Sequence, residues 1–130
     1  TPSYKFQVYI DASNEGHVTS TGDWARSSDI RFKKNVSDLK GGLDKILKLR
    51  PVRYDSKTEN TSPKGQGRHT GFIGQELEKV IPGIVSTDSK GYKAIAYGEL
   101  TTFLTEAIQE QQKEIENLKS EIQNLKAKLK

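Results

Sequence analysis

Residues 99–130 read ELTTFLTEAIQEQQKEIENLKSEIQNLKAKLK. The stretch has no Pro or Gly and is rich in strong helix formers, so it is predicted to be one long helix. Setting Thr101, Ile108, Ile115, Ile122 and Leu129 at heptad position a places Leu104, Gln111, Leu118 and Leu125 at d, a three-four alternation held for about four heptads. That is the seam of a coiled coil. In the same register Glu114 and Glu121 fall at g and Lys119 and Lys126 at the following e, the pairing that a parallel assembly of identical chains requires. A helix over 101–130 is roughly 45 Å long, and its apolar seam would lie in water in a lone chain. Ile at a with Leu at d leans toward two strands, whereas Thr101 and Gln111 make polar layers that suit two or three, so the heptad leaves the number open.

The rest of the chain is thin in apolar residues. Of 130 residues, 32% are apolar and 29% charged, which favours a small domain beside something elongated over a single large core. The net charge of +4 arises from 21 Lys and Arg interspersed with 17 Asp and Glu. The longest basic run is Lys33-Lys34, so no phosphate-binding stripe forms and nucleic acid is not expected as a partner. Absence of cysteine removes disulfides, thiolate metal sites and Cys nucleophiles together. No segment approaches the roughly 20 apolar residues of a membrane span, and the N-terminus lacks a basic-then-apolar signal pattern. A soluble chain with no membrane partner is expected.

Moving from the helix toward the N-terminus, Ile84-Val85 and Tyr92 to Tyr97 bracket a turn at Asp88-Ser89-Lys90-Gly91 in hairpin fashion. Gln75 to Val80 reads as a short helix stopped by Pro82, and Thr70 to Ile73 as a strand. Asp55 to Arg68 is polar, with Pro63, Gly65 and Gly67 and no large apolar residue, and is predicted to be an exposed arm over 55–70. Val52-Arg53-Tyr54 is a strand, and apolar residues at 39, 43, 46, 47 and 49 ahead of Pro51 give a short amphipathic helix. Tyr4 to Ile10 alternates apolar and polar residues, Asp11 to Gly16 supplies turn chemistry, and His17 to Thr21 is a weaker extended stretch. The fold class is therefore α+β: a β-rich segment over 1–27, a small mixed domain over 28–98 and a coiled-coil helix over 99–130.

Candidates for chemistry are few. Two histidines, His17 and His69, with no clustered carboxylates and no cysteine give no expected metal site, and no cofactor is expected. Gly65 to Gly67 lacks the strand and helix of a dinucleotide site, so it provides flexibility. Ser27-Ser28-Asp29-Ile30-Arg31-Phe32-Lys33-Lys34 is different, because it sets a hydroxyl and an amine a few residues apart at the junction of two regions. A Ser-Lys pair can hydrolyse a peptide without histidine if the lysine is neutral when it takes the serine proton, a state favoured by burial or by a nearby cation such as Arg31. Ser28 and Lys33 are on opposite faces of a flat strand and far apart around a helix, so they meet only across a turn or between subunits. On residue chemistry alone, a solvated Ser-Asp turn followed by surface lysines outweighs the dyad.

The residues Ser28 to Val36, Leu43 to Tyr54, Gly71 to Pro82 and Ile95-Ala96-Tyr97, followed by a closing helix, resemble the endosialidase-type intramolecular chaperone domain found at the C-terminus of phage tailspikes, tail fibres and neck appendages. The resemblance implies a homotrimer that gathers three copies of its own upstream fibre, assists their folding into a triple-stranded β-helix and then cuts itself off. It implies Ser28 as nucleophile and Lys33 as base, matching a Ser-Asp-x-Arg-x-Lys pattern in which Phe32 stands where Leu is commoner. Ser27, Ser28 and Asp29 form the cleavage junction, Arg31, His69, Gln75 and Glu76 are support candidates, and Ile108, Ile115, Leu118, Ile122, Leu125 and Leu129 line the trimeric coil. Assembly would occur in the host cytoplasm, with the mature fibre going to the virion, and residues 1–27 would be the end of that cargo. Attack by Ser28 on the carbonyl of Ser27 passes through a five-membered ring and favours the bond before Ser28. The bond after it remains open to another subunit's serine.

Overall fold

A computed structural model describes residues 7–9, 15–57 and 68–130. The chain divides after Asp38 into two compact units.

In the first unit, strands β1 (Gln7–Tyr9), β2 (Glu15–Val18) and β3 (Trp24–Arg26) form an antiparallel sheet in that order. The pairing sets Val8 opposite Gly16 and Val18 opposite Trp24. Sequence periodicity places an extended stretch over 17–21, but β2 ends at Val18. The Thr19 backbone N–H donates to the Asp23 carbonyl at 2.8 Å, the Asp23 N–H donates to Thr19 Oγ1 at 3.0 Å, and Gly22 adopts φ +92°. Side chains of Thr and Asp thus close a turn where the pattern suggested strand. Strand β3 has no periodic signature of its own. The indole of Trp24 covers Gly16, where an added Cβ would come within 2.4 Å of the ring. The expected turn over 11–16 and the start of the 4–10 strand lie largely outside the described residues, as does most of the arm, from 58 to 67.

The second unit begins with α1 (Gly42–Leu47), shorter than the apolar spacing from Leu39 to Leu49 suggests. Gly41 in the left-handed region (φ 73°) fixes its start, and the helix has no capping side chain of its own. Strands β4 (Val52–Tyr54) and β5 (His69–Gly71) pair antiparallel, joining Val52 to Gly71 and Tyr54 to His69 at the root of the arm. The pairing stops where the Phe72 N–H donates to the Tyr97 hydroxyl at 3.0 Å. Helix α2 (Gly74–Glu78) is followed by a 3-10 turn opened by Pro82, then by the hairpin of β6 (Val85–Thr87) and β7 (Lys93–Ile95). Its turn is built by Asp88, whose Oδ1 accepts from the Lys90 and Tyr92 N–H groups at 2.9 Å, with Gly91 at φ +86°.

Helix α3 (Tyr97–Lys128) runs uninterrupted to the end of the chain. Its first turns join the core of Leu77, Ile81, Ile84 and Leu100, flanked by Ile46, Leu49, Phe72 and Phe103. The α1 N-terminus is docked on α3. The Gly42 N–H donates to the Glu106 carboxylate and the Leu43 N–H to Glu110 Oε2 at 2.9 Å, so two carboxylates one helical turn apart cap a helix remote in sequence. Beyond this region α3 carries its apolar seam in water, from 42% exposed at Leu104 to 87% at Leu129. Thr101, expected as a polar layer, donates its hydroxyl to the Gly98 carbonyl of its own helix at 2.7 Å.

A Cβ on Gly42 would lie 2.8 Å from the Phe103 carbonyl oxygen and 3.2 Å from the Ala107 nitrogen, both backbone atoms that cannot swing aside. Gly42→Ala is therefore expected to lower stability by about 1–3 kcal/mol, read as a drop in the thermal midpoint. Gly83→Ala meets no atom within 4 Å and is the control, expected to stay within about 0.5 kcal/mol of wild type.

Candidate functional site

The segment from Ser28 to Asn35 folds around a single 3-10 turn, Ile30–Phe32. Asp29 caps it. Its extended backbone (φ −68°, ψ 137°) turns the side chain back so that Oδ1 accepts the Arg31 N–H at 2.9 Å, the side-chain mimic of a backbone turn that Asp forms readily. The Phe32 N–H donates to the Asp29 carbonyl at 3.1 Å and the Lys33 N–H to the Ile30 carbonyl at 3.0 Å, closing the turn. Arg31 then doubles back onto the cap. Its Nε donates to Asp29 Oδ1 at 2.9 Å and its Nη2 to Oδ2 at 2.8 Å, a two-pronged guanidinium–carboxylate pair.

One turn reverses the chain enough to bring residue 33 beside residue 28. Lys33 Nζ lies 2.9 Å from Ser28 Oγ and donates to it. Of the two ways for these residues to meet, across a turn or between subunits, the chain uses the turn, so the contact is complete within a single polypeptide. Asn35 follows with φ 53°, a left-handed conformation that Asn tolerates better than most residues, and redirects the chain past Lys34.

The electrostatics of the turn are set by the fork. Hydrogen bonds from the Arg31 side chain and backbone, with a smaller contribution from the Lys33 charge, hold the Asp29 carboxyl below its ordinary value, and the same pairing raises Arg31. The Arg31 guanidinium is thus engaged by Asp29. Ser28 and Lys33 are both exposed, as are the apolar residues interleaved with them, Ile30, Phe32 and Val36. A lysine amine at this place, if neutral, would accept the serine proton.

The other support candidates belong to the second unit. His69 lies opposite Tyr54 in the β4–β5 ladder, their rings 5.5 Å apart. Gln75 is exposed on α2. Glu76 receives Arg50 in a two-pronged pair, with Nε 3.1 Å from Oε2, and Glu78 receives Lys93 Nζ at 2.9 Å. A dent of about 30 Å³ between Lys48, Arg50, Phe72 and Glu76 is too small for an organic substrate. Among the described residues, no three His, Asp or Glu side chains gather as metal ligands, and no helix is long and apolar enough to cross a membrane. Sequence reasoning allowed Ser28 and Lys33 to meet across a turn but missed the Asp29–Arg31 fork. An Asp ahead of a turn, with Arg two residues on, was the available signal.

Residues 28–86 match the model of a peptidase family described as "Chaperone of endosialidase". The match opens on Ser28 and takes in the whole turn, α1, the β4–β5 pair and α2. The chain is similar to long tail fiber protein Gp37 of Enterobacteria phage M1, 33% identical over 127 residues, and to that of Enterobacteria phage Ox2, 34% identical over 125. Each alignment covers 92% of this chain and 49% of the relative, so the chain spans about half the length of the curated relatives it matches.

Arg50 depresses Glu76 below its ordinary 4.5, chiefly by hydrogen bonding. A depressed carboxyl contributes stability above its unfolded value and loses it as the pH falls through the folded one, so this pair weakens only in acid. In Arg50→Met the Glu76 carboxyl is expected to titrate at higher pH than in wild type, followed by NMR of its carboxyl carbon. An unchanged midpoint would mean that the pair does not persist in solution.

Proposed function

We propose, from the premise that residues 28–86 belong to the chaperone-of-endosialidase family, that this chain is the intramolecular chaperone of a phage tail fibre, assembling as a parallel homotrimer and releasing itself by one autoproteolytic cut at Ser28. The observation that carries the cut is the 2.9 Å contact between Lys33 Nζ and Ser28 Oγ, formed where the family match begins. The fibre assignment is supported by the tail fibre relatives. The trimer is supported by the exposed a/d seam of α3 and by its g-to-e charge pattern.

In the cut, neutral Lys33 takes the Ser28 hydroxyl proton as Oγ attacks the Ser27 carbonyl carbon. The five-membered tetrahedral intermediate collapses by breaking the bond to the Ser28 nitrogen, which receives the proton back from Lys33. The product is an ester between Ser27 and Ser28 Oγ. Water, its proton taken by Lys33, hydrolyses that ester, leaving a Ser27 carboxylate and restoring the Ser28 hydroxyl beside a new α-amine. Backbone N–H groups near Asp29 would serve the developing oxyanion.

The cargo is the upstream fibre, with residues 1–27 as its last segment, 28–98 as the chaperone domain and 99–130 as the coil. Holding three cargo ends on one stalk turns a slow encounter of three chains into local zipping, because the later contacts are made at high effective concentration. Assembly would take place in the host cytoplasm, the finished fibre then joining the virion. A second reading, a trimerisation module that never cuts, is favoured by the exposure of both dyad groups in the chain as it stands.

Mass spectrometry of the purified chain separates these readings. Wild type is expected to yield two fragments meeting at the Ser27–Ser28 bond, or at the bond after Ser28 if another subunit's serine attacks, while Ser28→Ala and Lys33→Ala stay whole. Uncut wild type would leave the structural module. Sedimentation equilibrium of Ser28→Ala is expected to give three chains, and a mass of two would replace the trimer with a dimeric adaptor.

A further inference from the structure

The Asp29 carboxylate poses a problem for the turn that it caps. It is needed to accept the Arg31 N–H at 2.9 Å, yet the Lys33 charge also acts on it, and a carboxylate left unpaired beside a lysine favours the ammonium, the form that cannot take a proton from Ser28. Arg31 answers both demands with one side chain. Its Nε and Nη2 occupy the two carboxylate oxygens at 2.9 and 2.8 Å, leaving the backbone cap in place and bringing the carboxylate's charge close to balance.

We infer that Arg31 is a positioning residue for the Ser28–Lys33 pair: clamped on Asp29, it holds the turn closed and cancels the carboxylate charge that would otherwise keep Lys33 protonated. The inference rests on the autoproteolytic reading above. It assigns Arg31 a task distinct from contact with the scissile carbonyl, since two of its guanidinium donors, on Nε and Nη2, are taken by Asp29. The charged groups along this described segment are Asp29, Arg31, Lys33 and the adjoining Lys34. Lys and Arg are not equivalent here, because only a guanidinium engages both carboxylate oxygens in a fork.

The charge argument predicts opposite signs for two substitutions. Arg31→Gln keeps the backbone N–H that Asp29 caps but leaves the carboxylate unbalanced. Asp29→Asn keeps an oxygen that can cap the turn but leaves the cation unbalanced. The full chain, held unfolded in denaturant, is refolded by dilution into buffers from about pH 6 to about pH 10, spanning the range in which a lysine base gains activity, and cut fragments are quantified with time. The midpoint of the rate profile is expected to rise by about one pH unit in Arg31→Gln, to fall by a similar amount in Asp29→Asn, and to return toward wild type in the double variant. Both shifts should shrink at high salt.

A turn that merely loses its shape would lower the rate at every pH without moving the midpoint, and that result would overturn the charge role. Complete loss of cutting in Arg31→Gln, with the fold intact by circular dichroism, would instead place Arg31 on the reacting carbonyl and overturn the inference from the other side. If Arg31→Gln fails to refold, Arg31→Lys takes its place: the expected midpoint lies between wild type and the value predicted for Arg31→Gln, and an unmoved one overturns the fork. Wild type that cuts with unshifted variants defeats this inference alone, whereas wild type that never cuts defeats the autoproteolytic reading and this inference together.

Discussion

The second unit depends on one contact, the docking of the α1 N-terminus against the side of α3. A helix start leaves N–H groups without partners, and Gly41 offers no side chain to satisfy them. Glu106 and Glu110 supply the missing acceptors. Gly42 makes the approach feasible, since any side chain there would strike the α3 backbone. In the heptad register Phe103 and Glu110 are at c, Glu106 at f and Ala107 at g. The residues that hold α1 therefore lie off the a/d seam, which runs from Leu104 and Ile108 onward along another side of the same helix. The domain can hold α3 while the a/d seam stays exposed along the rest of the helix.

How much of this was legible in the sequence follows from how far apart the interacting residues are. Helix α3 and the β6–β7 hairpin were readable because their causes are local: heptad spacing and an Asp-Ser-Lys-Gly turn. The strand expected over Thr70 to Ile73 lies at His69–Gly71, and its pairing with Val52–Tyr54 is seen only in the structure. The limits of α1 were not readable either. Its periodicity extends from Leu39 to Leu49, but its start is decided by carboxylates on α3, with 64 residues separating Gly42 from Glu106. Strand β3 escaped for a similar reason, since Trp24 earns its place by covering a glycine on β2 and not by any pattern around it. Over residues 17–21 the extended pattern lost to Thr and Asp side chains that bond to the backbone and close a turn.

The candidate site shows the same divide on a smaller scale. The spacing of Ser28 and Lys33 left two ways for them to meet, across a turn or between subunits, and in this chain they meet across a local turn. What the spacing could not show is that Arg31, an attractive cation for tuning Lys33, spends its charge on Asp29. The support residues diverge as well. Glu76 is tied to Arg50 and His69 to the ladder with Tyr54, so each has a structural occupation in the second unit, whereas Ser28 and Lys33 have each other.

That locality narrows what assembly would have to accomplish. If Ser28 and Lys33 met only between subunits, association would create the dyad. Here the contact already exists in one chain with both residues exposed, and a lysine acting as the proposed base would need a drier setting, since burial disfavours an ammonium. The residues alternating with the pair, Ile30, Phe32 and Val36, are exposed apolar side chains on the same short segment. Covering them with a neighbouring chain or with folded cargo would remove water from around Lys33, favour its neutral form and so bring the base into action. If the chain cuts itself as proposed, the step that couples folding to release would be desolvation of a preformed pair.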